Sequence, residues 1–242
     1  MCSRTLMVCS AFALATVSLS SVASAGRRFE NTFQLGERPT VVLANQSLRG
    51  DIFVRGWNEK GVKVVADIES TRTDVSCVKS AGTLTVSLKR QNRIAEDAVH
   101  FEVWTPRDAA LELSAFSGTI SVEGLEGRLK LRTIDGPIEI TNCAGKKVDA
   151  LSSTSGNILL RGPLASPTVY TLYSGSGKIE VRLSKPASFT LHALTHGGRI
   201  DLGGIRLREH RRTERVVEGE YGRGDSLVHL RTHSGQIQLR ME

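Results

Sequence analysis

The residues with the most distinctive chemistry are four histidines in two matched segments. LHALTHGGRIDL, residues 191 to 202, aligns with VHLRTHSGQIQL, residues 228 to 239. His192 then matches His229, and His196 matches His233. Within either segment the two histidines are four residues apart, about 13 Å along an extended chain, too far to share a metal ion. If the segments lie side by side as strands, equivalent residues come within about 4.8 Å. Each matched pair would then stack imidazole on imidazole. Two such rings can hold a metal weakly through two nitrogens. They also make an acid-sensitive contact, because two imidazolium ions repel. The plain alternative is a surface ladder produced by duplication of a repeat. No cysteine or carboxylate accompanies either pair to complete a metal site, and no cofactor is expected.

A second candidate is basic. The run GGIRLREHRRTERVVEGEYGRG, residues 203 to 224, carries Arg206, Arg208, Arg211, Arg212, Arg215 and Arg223. Glu209, Glu214, Glu218 and Glu220 offset much of that charge, which predicts a solvated, self-paired hairpin or loop. Arg206, Arg208, Arg211, Arg212 and Arg215 are its candidate partner contacts. Catalytic motifs are missing: there is no G-x-S-x-G elbow, no H-E-x-x-H and no phosphate-binding loop. The Ser-Gly pairs recur as turns, and a nucleophile would not be repeated so. Asp135, Glu139, Lys130 and Arg132 could lie together as an acid–base cluster on one face. Trp57, Trp104, Tyr170, Tyr173 and Tyr221 could serve as sugar-stacking platforms, but they are scattered.

These groups ride on a repeat. Gly118, Gly136, Gly156, Gly177, Gly198 and Gly235 are spaced by 18, 20, 21, 21 and 37 residues. Two residues after each comes Ile120, Ile138, Ile158, Ile179, Ile200 or Ile237, and four after comes another aliphatic residue. Five before comes Leu113, Leu131, Leu151, Leu172, Ala193 or Leu230, and three before comes Ala115, Thr133, Ser153, Ser174, Thr195 or Thr232. Apolar residues at alternate positions mark strands with one buried face. The Gly supplies a tight corner, expected to rest on its tolerance of positive φ. One copy cannot bury its own apolar stripe, whereas stacked copies form continuous ladders of Ile on Ile and Leu on Leu. The fold class expected is all-β, a β-solenoid or β-roll-like stack of two-strand repeats of about 20 residues. An antiparallel sandwich of successive hairpins is the rival.

Residues 26–110 alternate less regularly and are expected to begin or cap the stack, followed by the repeat region 111–242. Gly50-Asp51-Ile52-Phe53-Val54 and Gly82-Thr83-Leu84-Thr85-Val86 resemble worn copies, and Asn92 to Asp97 a loop. Residues 1–25 have the form of a secretory signal: Arg4, a mostly apolar run from Leu6 to Val22, then Ala23-Ser24-Ala25. No later run is long and apolar enough for a transmembrane helix. Cleavage would remove Cys2 and Cys9 and leave Cys77 and Cys143 in an oxidising compartment, as one disulfide or as two buried thiols. The formal net charge of +7, reduced by one without Arg4, suits an anionic partner.

The phrases SGTISVEGLEGRLKLRTIDGPIEI, TSGNILL, SGKIEV and THSGQIQL, after FEVWTP, resemble a bacterial family of β-strand-repeat envelope proteins labelled putative adhesins, with a domain of unknown function. The resemblance covers roughly residues 40 to 242. It implies the repeat fold and an envelope location, and it carries over no catalytic residue. Pro137, Pro163 and Gly197 depart from the usual pattern. Together these observations lead to the expectation of an exported, periplasmic or envelope-associated, non-enzymatic interaction module. Its partner would be an envelope protein or an anionic glycan such as lipopolysaccharide, with no specific nucleic acid. A periplasmic envelope-stress or regulatory partner and a carbohydrate-active or carbohydrate-binding solenoid are the alternatives.

Overall fold

Alternation of buried and exposed residues turns the apolar stretches of the described residues into strands. A computed structural model describes residues 26–69, 72–90 and 98–242. The secretory-type segment 1–25 and the loop expected at Asn92 to Asp97 lie outside them. The N-terminal strands are β1 (Arg27–Phe33), β2 (Thr40–Asn45), β3 (Ile52–Trp57), β4 (Val62–Ile68), β5 (Thr73–Ser80), β6 (Thr83–Arg90) and β7 (Val99–Pro106). The first repeats give β8 (Ala110–Ala115) and β9 (Ile120–Glu123), β10 (Leu129–Thr133) and β11 (Ile138–Thr141), and β12 (Lys147–Ser152) and β13 (Ile158–Gly162). The next two give β14 (Val169–Ser174) and β15 (Ile179–Leu183), then β16 (Phe189–Thr195) and β17 (Ile200–Asp201). The Arg-rich excursion contributes β18 (Arg208–Arg212) and β19 (Val216–Tyr221), and the last repeat β20 (Ser226–Thr232) and β21 (Ile237–Met241).

Each repeat is one rung: a strand in one sheet, a corner, and a strand in the facing sheet. Equivalent strands pair in parallel and in register, so Ile52, Ile120, Ile138, Ile158, Ile179, Ile237 and Ile200 form one continuous column. The ten-stranded sheet has the order β1-β4-β7-β3-β9-β11-β13-β15-β21-β17. The eleven-stranded sheet has the order β18-β19-β16-β20-β14-β12-β10-β8-β2-β6-β5. Their inner faces share one core that includes Leu43, Leu113, Leu131, Leu172 and Leu230 on one side and the isoleucine column on the other. The stack expected from the repeat is therefore the observed architecture.

Two rungs do not follow chain order. The last, β20–β21, sits between β14–β15 and β16–β17. The β18–β19 hairpin explains how: it runs antiparallel along the outer edge of β16, and the chain then returns inside it. At the other end, β2–β3 is a rung joined at Gly50, and β6 and β7 form a further rung outside it. The Gly82 phrase is thus half a repeat out of phase: Leu84 and Val86 pair with Val41 and Leu43, before the corner rather than after it. Antiparallel β5 closes one sheet, and β4 with β1 extends the other. These strands end the parallel stack.

A second correction concerns Leu151. Leu131 pairs with Ala150 and Thr133 with Ser152, because the third corner holds one extra residue. Ala150 and Ser152 are buried, while Leu151 points outward and Ser153 is exposed.

The corners need glycine for a reason other than the one expected. None of Gly118, Gly136, Gly156, Gly177, Gly198 and Gly235 has a positive φ. Their backbones instead approach the preceding rung so closely that a Cβ on Gly156 would lie 1.8 Å from the Gly136 carbonyl oxygen, and one on Gly235 1.9 Å from that of Gly177. At Gly136, Gly177, Gly198 and Gly235 the hydroxyl three residues earlier completes the contact by accepting from the corner N–H. Ser174 Oγ accepts a bond from the Gly177 N–H at 2.9 Å and donates to the Gly156 carbonyl at 2.9 Å. Thr195 does the same between Gly198 and Gly235, and Thr232 between Gly235 and Gly177. Asn45 takes the position in the β2–β3 rung, donating to the carbonyls of Gly50 and Val99. One buried hydroxyl therefore ties its own corner and the next rung together.

Ser174→Ala leaves buried partners unsatisfied and is expected to lower unfolding free energy by about 1–3 kcal/mol. Gly156→Ala is expected to cost more than about 3 kcal/mol or prevent folding. Gly36→Ala, where a Cβ meets nothing within 4 Å, is expected to be near neutral. Urea unfolding of the three variants against the wild type checks the ranking.

Candidate functional site

Because strands pair in register, outward side chains line up in rows across the sheets. On the eleven-stranded sheet one row reads Asp149, Thr171, His229, His192, Glu218, Arg211. The next reads Leu151, Tyr173, Arg231, Leu194, Val216. Between them, over β14, β20, β16, β19 and β18, lies a groove of about 530 Å³. Tyr173, Leu194 and Val216 are half-buried along it. Arg231 lies over the Tyr173 ring, 6.0 Å from its centroid. Arg211 reaches the groove from the excursion hairpin.

Both histidine pairs come together. His192 and His229 stack with ring centroids 5.1 Å apart and an interplanar angle of 18°. His196 and His233 lie 5.3 Å apart at 30°, on the corner ridge. The insertion of the last rung beside β16 is what makes His192 and His229 neighbours. Glu218 joins the first pair, with Oε1 3.9 Å from His192 Nδ1. Among the described residues no group of three or more His, Cys, Asp or Glu is placed to hold a metal ion. Burial first, then the neighbouring His192, lowers the His229 pKa below its ordinary 6.5.

The five arginines occupy different places along the excursion. Arg206 precedes β18, Arg208 and Glu220 form an ion pair across the hairpin, Arg211 faces the groove, Arg212 ends β18, and Arg215 lies in the turn. Cys77 and Cys143 are free thiols, so the bridge that their number allowed is not made: Cys77 lies on the edge strand β5 and Cys143 is buried after β11. Burial raises the Cys77 pKa to about 11. The acid–base cluster also dissolves. Lys130 and Arg132 face outward from β10 in one sheet, Lys130 paired with Glu112, while Glu139 belongs to β11 in the other and Asp135 accepts a bond from Ser155 at the corner. Tyr170 is wholly in the core, with its pKa raised to about 12 by burial, and Tyr221 stacks on Phe189. Trp57 donates to the Gly61 carbonyl, and Trp104 lies under Lys63 on the ten-stranded face.

Residues 107–240, more than half of the chain, match the model of the Toastrack DUF4097 family. The chain belongs to this family. No curated protein matches it. Among solved structures, this Toastrack chain is similar to a putative cell adhesion protein from Clostridium sporogenes, at 11% identity and a TM-score of 0.56, over 90% of this chain and all of the other. A putative adhesin from Bacteroides fragilis aligns at 8% identity and a TM-score of 0.38, over 89% of this chain and 97% of that one. At such identities the first likeness concerns the fold alone. Among the described residues, no helix is long and apolar enough to cross a membrane.

What the sequence reading missed in this Toastrack chain is the apolar row. The fixed offset from Gly156 predicts Leu151 for the core, and Leu194 and Val216 alternate with core residues. The signal was present in the spacing: Ser152, rather than Ser153, continues the hydroxyl column.

With a folded pKa below the unfolded one, His229 takes up its proton later than it does in the unfolded chain. Stability is therefore full above the unfolded value, about 6.5, and falls as pH drops through it. Melting curves between pH 8 and pH 5 should show a shallower loss for His229→Gln than for the wild type. Parallel losses would contradict this contribution.

Proposed function

We propose that this Toastrack protein is an exported, non-enzymatic interaction module of the bacterial cell envelope, in the manner of an adhesin. The observation that carries the reading is the in-register display of outward rows on two stacked sheets. Parallel pairing through rigid corners holds successive side chains at a pitch of about 4.8 Å. A partner meeting such a face pays little ordering cost, because the surface is already arranged. Export is supported by the n-region, apolar run and A-x-A site within residues 1–25.

The contact surface is the C-terminal end of the eleven-stranded face, with Arg211 over the groove and Arg206 and Arg215 at the ends of the hairpin. Arg208 and Glu220 are already paired, so Arg208 contributes more to the hairpin than to a partner. Envelope fractionation followed by crosslinking in cells tests the reading. The protein should fractionate with the envelope and crosslink to an envelope component, with recovery reduced several-fold by a combined change of Arg206, Arg211 and Arg215 to Ser. A single dominant protein in the crosslink would identify a regulatory or assembly partner. Cytoplasmic retention of the wild type would contradict the proposal.

A further inference from the structure

We propose that the groove over β14, β20, β16, β19 and β18 binds an acidic oligosaccharide carrying carboxylate groups along its chain. The inference rests on the envelope-module reading and names the ligand class of that same surface.

The floor comes first. Tyr173, Leu194 and Val216 lie in one row perpendicular to the strands. An aromatic ring and two aliphatic side chains suit the C–H faces of sugar rings, which are apolar while their rims are polar. The row advances at about 4.8 Å per strand, a pitch comparable with the length of one sugar ring. An elongated ligand lying across the strands therefore meets a new side chain at each unit. A compact ion would use only one of them.

Charge complementarity selects the acid. Arg231 stands within the row, between Tyr173 and Leu194, and Arg211 approaches the floor from the hairpin end. Three strand spacings separate their positions, about 14 Å across the sheet, with Leu194 and Val216 on the strands between and Tyr173 on the far side of Arg231. The Tyr173 ring lies against the Arg231 guanidinium, which can present its N–H edge to a planar carboxylate in a bidentate pair. His229 and His192 line the adjacent row and offer ring nitrogens to hydroxyl groups. Among the described residues lining the groove, Glu218 is the sole carboxylate, and it stands beside His192. The described lining thus carries two permanent cations against one acid.

Isothermal titration of the folded full-length mature chain with a galacturonate tetramer, at about 0.15 M salt, tests the assignment. A glucose tetramer serves as the neutral ligand and a single-stranded DNA oligomer of equal charge as the non-sugar polyanion. The expected result is saturable binding of the galacturonate, weakened at least tenfold by Arg231→Gln and by Arg211→Gln. Arg231→Lys keeps the charge but loses the fork, so a several-fold loss is expected there. Arg28→Gln, on β1 at the far end of the stack, should leave binding unchanged. The proposal is overturned if galacturonate does not bind, if the groove variants bind as well as the wild type, if Arg28→Gln weakens binding equally, or if the DNA oligomer binds the same groove as tightly. Circular dichroism of each variant shows whether it is folded. If galacturonate fails to bind while the protein still crosslinks to an envelope component, the ligand assignment alone falls. If the protein is not in the envelope, the underlying reading falls.

Discussion

The close approach of one rung to the next at the glycine corner is the constraint on which the structure depends. A carbonyl oxygen from the neighbouring rung occupies the space where a side chain would begin. At Gly177, Gly198 and Gly235 the buried hydroxyl three residues earlier then satisfies the corner N–H and reaches the neighbouring glycine's carbonyl. Together these contacts fix the height of the rung and its phase. A shift of one residue would turn every apolar side chain to the wrong face. The third rung shows how the phase is kept: its corner absorbs one extra residue so that Ser152 still occupies the hydroxyl column and Leu151 is turned outward.

Once phase is fixed, the surface follows. Polar positions between core residues become rows, and rows become grooves where a few apolar or planar groups coincide. The histidine pair, the Arg231–Tyr173 contact and the outward aliphatic row all arise in this way. None is near its neighbour in sequence. The insertion of β20 between β14 and β16 is decisive, because it brings Arg231 and His229 into the middle of the groove. The β18–β19 hairpin covers the outer edge of β16 and supplies Arg211.

Much of the stack was legible from residues alone. The Gly-x-Ile phrase announces equivalent rungs, and the pairing of His192 with His229 follows from aligning two of them. Other features were hidden for physical reasons. The sequence does not show whether a corner glycine is needed for its φ or for its lack of a Cβ, because that depends on what the neighbouring rung brings to the site. The order of the last two rungs depends on where the hairpin returns, which no local pattern records. Leu151 was misplaced because a fixed offset from Gly156 ignored the longer corner. Glu139 and Lys130 looked like neighbours only because a short sequence separation conceals a change of sheet. The groove was invisible for the same reason: its members come from five strands and are joined only by register.

Amide hydrogen exchange at Gly136, Gly177, Gly198 and Gly235 tests the central constraint most directly. These four N–H groups sit in corners, where exchange is ordinarily fast, yet each donates to a Thr or Ser hydroxyl three residues earlier. If the corners hold the rungs together, their protection should match that of core amides such as those of Ile138 and Ile179, released only by global opening. Exchange at the rate of exposed turns would contradict the account, because the stack would then be held by its apolar ladders and the corners would merely connect them.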